Sequence, residues 1–210
     1  MKKAFLLIGV LALALGISYL VLHRSDSGNS KNAERDEPLA ISSKTSAFNR
    51  SFARVLNNYY SLSECFVDSD TSRIAAAGQQ LSLSIDSIRF DQFKADTAIV
   101  QTAVSLAQSI QAEIAGMNGE KTEEQKKREF NMITDQLYSL IRTVRFDGST
   151  IFHMRTTLAF ADSSEAYWLS PVNQITNPYL GKNHPVYKDK MLGSGELIDS
   201  IHFTAPVSER

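Results

Sequence analysis

Four stretches of the chain carry apolar residues at steps of three and four, the spacing that lays a stripe along one side of a helix. In the first, the stripe is Phe48, Phe52, Val55, Tyr59, Leu62 and Phe66. Asp68-Ser69-Asp70 interrupts it and offers a cap for the second, which carries Ile74, Ala77, Leu81, Ile85 and Ile88. Either Asp91 or Asp96 can cap a third helix with Ile99, Ala103, Leu106, Ile110, Ile114 and Met117, and Asn118-Gly119 should end it through a left-handed residue. Thr122, with Gln125 three residues on, fits a capping box at the start of the fourth. That helix carries Phe130, Ile133, Leu137, Leu140, Ile141 and Val144, and Asp147-Gly148 should close it. Each stripe needs a partner and the connections are short. The expected fold is therefore mainly α, an antiparallel four-helix bundle over 47–148.

Beyond Gly148 the period changes. Ile151 to Phe160 is rich in β-branched and aromatic residues and reads as a strand, as does Gly195 to Phe203. Between them lie an acidic loop (Asp162-Ser163-Ser164-Glu165), the Trp168 segment and an Asn177-Pro178-Tyr179 turn. These predict a small β or irregular lobe over 149–204, packed on the bundle and followed by a tail, 205–210. Trp168 is expected to anchor that lobe, since an indole buries a large apolar area.

The N-terminus changes the picture of compartment. Lys2 and Lys3 precede an uncharged run from Ala4 to Leu22, which ends at His23-Arg24. As a helix, that run spans roughly 28 Å, close to the hydrocarbon thickness of a bilayer. Bulky residues occupy the positions where a signal peptidase needs small ones, so 1–23 reads as an uncleaved signal anchor with the N-terminus in the cytoplasm. Residues 24–46 are polar and poor in large apolar side chains, and read as a flexible linker spanning about 25–30 Å by random-coil scaling. The chain beyond is expected in the periplasm, held to the inner membrane as a single-pass protein.

Net charge is −1. Acids and bases are mixed along the chain, and no basic patch interleaves with aromatics, which argues against nucleic-acid binding. Cys65 is the single cysteine, so there is no intramolecular disulfide and no paired-Cys zinc or redox motif. Its place beside the first apolar stripe predicts a buried, inert thiol. Ser194 lies between Gly193 and Gly195, but the Gly-x-Ser-x-Gly spacing is not met. No complete catalytic constellation is present, and the chain reads as a non-enzyme.

Several segments share one pattern. In the bundle they are Asn58-Tyr59-Tyr60-Ser61-Leu62 through Val67-Asp68, and Arg128-Glu129-Phe130. Towards the C-terminus they are Ala166-Tyr167-Trp168-Leu169-Ser170, Ile175-x-Asn177-Pro178-Tyr179 and Met191-Leu192-x-x-Gly195-Glu196. Together they resemble a bacterial periplasmic family, domain of unknown function three-three-four-seven, over about Phe48 to Phe203. The resemblance implies a periplasmic setting beside adaptors of heavy-metal (copper/silver) efflux pumps. It also marks two departures. The family's Cys-Pro-Met-Ala corresponds to Thr156-Thr157-Leu158-Ala159, and its Cys in Met-Leu-x-Cys-Gly corresponds to Ser194. A neutral hydroxyl is a poor donor to Cu(I), which favours thiolate and thioether sulfur.

The donors left for Cu(I) or Ag(I) are His153, Met154, His184 and Met191. Adjacent strand residues point to opposite faces, so His153 and Met154 should not share an ion. Met154 lies on the face of Phe152 and Thr156, expected towards the core, where methionine is commonly a filler. His153 lies on the face of Arg155, expected towards solvent. A site would then combine His184 and Met191 with one of the pair. Two functions follow as expectations. One is a membrane-anchored accessory domain of metal efflux or homeostasis, with weak or lost metal binding and an envelope protein such as an efflux adaptor as partner. The other is a non-enzymatic interaction or structural module of the envelope that binds no metal.

Overall fold

The computed structural model describes residues 43–184 and 186–203. The expected anchor over 1–23, the linker up to residue 42 and the tail over 205–210 lie outside the described residues. The order is β1 (Ser43–Lys44), α1 (Ser46–Val67), α2 (Thr71–Asp86), a 3-10 turn (Phe90–Gln92), β2 (Phe93–Lys94), α3 (Thr97–Gly119), α4 (Glu123–Val144), β3 (Ile151–Thr156), β4 (Ala166–Ser170) and β5 (Glu196–Ile201). Among the described residues, four helices and a small three-stranded antiparallel sheet make the chain mainly α with a C-terminal β lobe. No described helix is long and apolar enough to cross a membrane.

The helices form where the stripes predict, and local side chains set their starts. The hydroxyl of Thr45 accepts from the Phe48 amide, the carboxylate of Asp70 from Arg73, that of Asp96 from Ala98, and Thr122 Oγ1 from Gln125. Each satisfies one of the amides that a helix N-terminus leaves free. Asp96 is thus the cap of α3, while Asp91 pairs with the Arg89 guanidinium at 2.8 Å. Thr122 also donates to the Gln125 side-chain oxygen at 2.7 Å, so the expected capping box closes by a side chain-to-side chain bond.

The helix ends correct two expectations. Gly119 is not left-handed: α3 runs through it to an extended Glu120, and the Lys126 ammonium takes the Met117 carbonyl at 2.9 Å. Asp147-Gly148 does not close α4 either. Arg145 does, at φ 51°, and Asp147 turns to the start of the bundle. There its carboxylate lies 3.3 Å from Lys44 Nζ and accepts from Asn49 Nδ2 at 3.0 Å.

Each helix packs on the next in sequence, α1 on α2, α2 on α3 and α3 on α4. Between α1 and α4 the gap is filled by rings. Tyr59 and Phe66 lie 5.4 Å and 4.8 Å, centroid to centroid, from Phe130. Phe48, Phe52, Phe93 and Phe146 continue the stack towards β1 and β2. Cys65 sits in this core, its thiol pushed up by burial as an inert cysteine's should be.

In the lobe the strand order is β4-β3-β5. The Trp168 segment, expected only as part of a small β or irregular lobe, is strand β4, paired with β3 from Phe152↔Ser170 to Thr156↔Ala166. The strand expected to reach Phe160 stops at Thr156. A register shift against β5 between His153 and Met154 accounts for the broken alternation of the last strand.

Candidate functional site

Helix α4 and Tyr59 of α1 fasten the lobe to the bundle by closing the outer edge of β4. Asn131 Oδ1 accepts from the Tyr167 amide at 2.7 Å. The Tyr179 hydroxyl donates to the Tyr167 carbonyl at 2.6 Å. Tyr59 Oη accepts from the Leu169 amide at 3.1 Å and lies 2.7 Å from Thr134 Oγ1, whose own proton goes to the Phe130 carbonyl. Every member of this fully buried chain is therefore paired, which is the condition under which a buried polar network stabilises. Tyr59→Phe leaves the Leu169 amide without its acceptor. Urea denaturation should show a loss of about 1–3 kcal/mol; no loss would mean that the bond does not hold the lobe.

The aromatic and glycine-rich segments close the other side of the sheet. Asn177 Oδ1 accepts from the amides of Tyr179 and Leu180, its Nδ2 donates to the Ser194 carbonyl at 2.7 Å, and its own amide donates to Leu192 at 2.7 Å. One buried asparagine thus binds two loop segments together. Trp168 is 1% exposed and meets Tyr179 edge-on. Gly195 has φ +141°, and a Cβ there would lie 2.7 Å from Trp168 Cη2 and 2.8 Å from the Arg155 carbonyl, so only glycine fits. At the far end of the loop, the Lys182 amide takes the Val67 carbonyl at 2.7 Å, and Lys182 Nζ and Asn183 hold Asp68.

The four donors named from sequence occupy separate surroundings. Met154 is fully buried, opposite Trp168 in the pairing. His153 is on the other face, but it is not solvent-facing as expected. It is 7% exposed, with its ring 4.2 Å from Tyr138 of α4 and 5.4 Å from Tyr167. The face shared with Arg155 is the one that α4 covers, and only the end with Arg155 emerges to pair with Glu165 and Glu196. Burial lowers the His153 pKa to about 4 against an opposing pull from Asp199, and its Nε2 has no hydrogen-bond partner. His184 spends Nδ1 on the amides of Val186 and Tyr187 and stacks on Tyr187 at 4.9 Å. The carbonyl of Met191 accepts from Ser194 in a turn. Thr156 Oγ1 accepts from the Leu158 amide. No group of three His, Cys, Asp or Glu among the described residues is placed to hold a metal ion. A soft ion would need donors that converge; His153 and Met154 lie on opposite faces of β3, and His184 has one ring nitrogen engaged in its own turn.

Two clefts were not legible in the sequence. An open groove of about 600 Å³ runs between α2 and α3, lined by Ala75, Ala76, Gln79, Ser82, Gln111 and Ala115 among others, with no titratable side chain. A smaller one, about 170 Å³, lies between α1 and the end of β4. Tyr60 is among its lining residues, but its hydroxyl is closed to solvent and has no hydrogen-bond partner. Burial raises the Tyr60 pKa, so the phenol stays an O–H donor. Tyr60, Ser63, Glu64 and Val67 sit on one side of α1 at helical spacing, but only the position of β4 makes them a wall.

No curated protein and no solved structure matches the chain. Residues 55–148 match the family described as Protein of unknown function (DUF3347). The matched span runs from the middle of α1 to the turn after α4 and stops short of the Trp168, Asn177 and Met191 segments. The chain thus has a likeness to that family over residues 55–148, the span that holds most of the four helices.

Proposed function

We propose that this chain is a non-enzymatic interaction module of the bacterial envelope, of the heavy-metal efflux accessory type that the resemblance implies, with no Cu(I) or Ag(I) site of its own. It would be held to the inner membrane by residues 1–23, with the bundle and lobe in the periplasm and an envelope protein such as an efflux adaptor as partner. The observation that carries the reading is the use to which the donors are put. Met154 is buried opposite Trp168, His184 caps its own turn, and hydroxyls stand at Thr156 and Ser194. The chain's most distinctive segments go into docking the lobe rather than into presenting ligands. One observation favours residual metal binding, the unpaired Nε2 of His153.

Titration of the full chain in detergent with Cu(I) against a competing chelator separates the two. The expected affinity is no tighter than micromolar, a binding free energy of about 8 kcal/mol or less. Tighter binding that His153→Phe abolishes would establish the metal-binding reading instead. Cross-linking in membranes should recover one specific envelope partner.

A further inference from the structure

Helices α2 and α3 turn an uncharged face to solvent. From Ile74 to Ile85 and from Thr97 to Ala112 neither holds an Asp, Glu, Lys, Arg or His. The other two helices do expose charges, Arg50, Arg54 and Glu64 on α1, Glu124 and Arg142 on α4. The lobe is fastened to α1 and α4, and on the α2–α3 face Ala75, Ala76, Gln79, Gln108 and Ala115 stay exposed among the described residues. The groove of about 600 Å³ runs between these two helices. Its alanines keep the walls low, so a helix laid against it can approach to the roughly 8–10 Å of ordinary helix packing. Ser72, Gln79, Ser82 and Asn118 supply its polar groups. Leu83, four residues after Gln79 and so on the same side of α2, is 54% exposed. Charges return only at the border, with Arg73, Asp86 and Glu113, and Asp86 is held by Gln111 Nε2 at 2.6 Å. An uncharged centre inside a charged rim is the composition of an interface.

The chemistry of the face selects its occupant. A charged partner would give up hydration and meet no counter-charge. A purely apolar one would strand the amides and hydroxyls. Gln, Asn and Ser each both donate and accept hydrogen bonds, so a face built from them is complementary to a copy of itself, as a face of Lys or Glu is not. We propose that two copies of this chain associate through their α2–α3 faces, in the self-complementary manner of a two-fold dimer. Over α2, the shorter helix at 16 residues, the face is about 24 Å long and, being two helices wide, about 20 Å across. That footprint suits the small end of specific interfaces, so the pair is a weak one. The inference goes beyond the interaction-module reading and does not depend on it.

Sedimentation velocity of the full chain in density-matched detergent reads the association. A monomer–dimer equilibrium with a dissociation constant of roughly 10–100 μM is expected. Ala76→Glu puts one charge per copy into the groove. Ala76 is exposed, so the monomer tolerates the change, while dimerisation should weaken at least about 100-fold. Gln79→Glu, nearly identical in shape, should weaken it about 10-fold or more and decides the matter if Ala76→Glu does not fold. Asn57→Glu, on the exposed side of α1, should leave the constant unchanged. A wild-type chain that stays monomeric up to about 500 μM, well above that range, overturns the proposal. So does a dimer that the groove variants leave intact, which would place the contact elsewhere in the chain, or one that Asn57→Glu weakens equally. A tight Cu(I) site would sink the module reading without altering this equilibrium.

Discussion

Trp168→Ala should lower the unfolding free energy by about 4 kcal/mol, in the range measured for deleting a buried aromatic side chain. The indole is 1% exposed, pairs across the sheet with Met154, meets Tyr179 edge-on and fills the space that Gly195 leaves for it. These neighbours belong to three segments fixed by other bonds: β3 by the sheet, Tyr179 by Asn177 and the Tyr167 carbonyl, Gly195 by its backbone. They cannot close over the void without breaking those bonds, so the cavity persists and its cost is added to the lost transfer energy. Urea denaturation followed by far-UV circular dichroism reads the change. A loss under about 1 kcal/mol would mean that the site collapses freely and that Trp168 is not what holds the lobe.

Stability should also fall as the pH drops from about 6.5 to about 4, and His153 should be responsible for most of the slope in that window. An unfolded histidine takes up its proton near pH 6.5. In the folded chain burial delays that step to about pH 4. Between these values the unfolded state binds a proton that the folded state refuses. The stabilisation is therefore complete above the unfolded value and is lost progressively on acidification, about 3 kcal/mol in all. The groups facing the ring are Tyr138 from α4, Tyr167 from β4 and Asp199 from β5, and Asp199 alone favours the imidazolium. Asp135 and Glu129 work in the opposite sense, their pKa values raised by burial. The informative quantity is thus the difference between wild type and His153→Phe, whose ring suits a place between two tyrosines. Denaturant midpoints at pH 4, 5, 6 and 7 should fall for wild type and fall less for the variant. Parallel curves would show that His153 titrates normally.

The helices could be read in advance because each is amphipathic over several turns and starts at a side chain able to cap it. Their ends could not, since they are decided from outside. Arg145 takes the left-handed cap of α4 where Asp147-Gly148 was the local candidate, because Asp147 is wanted by Lys44, about a hundred residues earlier in the chain. Strand β4 escaped for a similar reason. Ala166-Tyr167-Trp168-Leu169-Ser170 has no alternation to announce it, because β3, Asn131, Tyr59 and Tyr179 bury both its faces and satisfy its edge. The opposite orientations of His153 and Met154 follow from strand geometry, but the destination of His153 does not. A face shared with Arg155 looks wet until α4 lies across it. The cleft beside Tyr60 was illegible for the most general reason, that its two walls are more than a hundred residues apart.

Lys44 gives the start of the bundle a mechanical role. Its ammonium reaches the Arg145 carbonyl at 2.8 Å and the Asp147 carboxylate at 3.3 Å, while its backbone pairs with Phe93 in the connection between α2 and α3. If the N-terminus is moored as proposed, a tug arriving along the polypeptide would be shared at once between the foot of α4 and the α2–α3 joint, and would not peel α1 away turn by turn. Under that mooring, the arrangement would put a knot where the rope is tied.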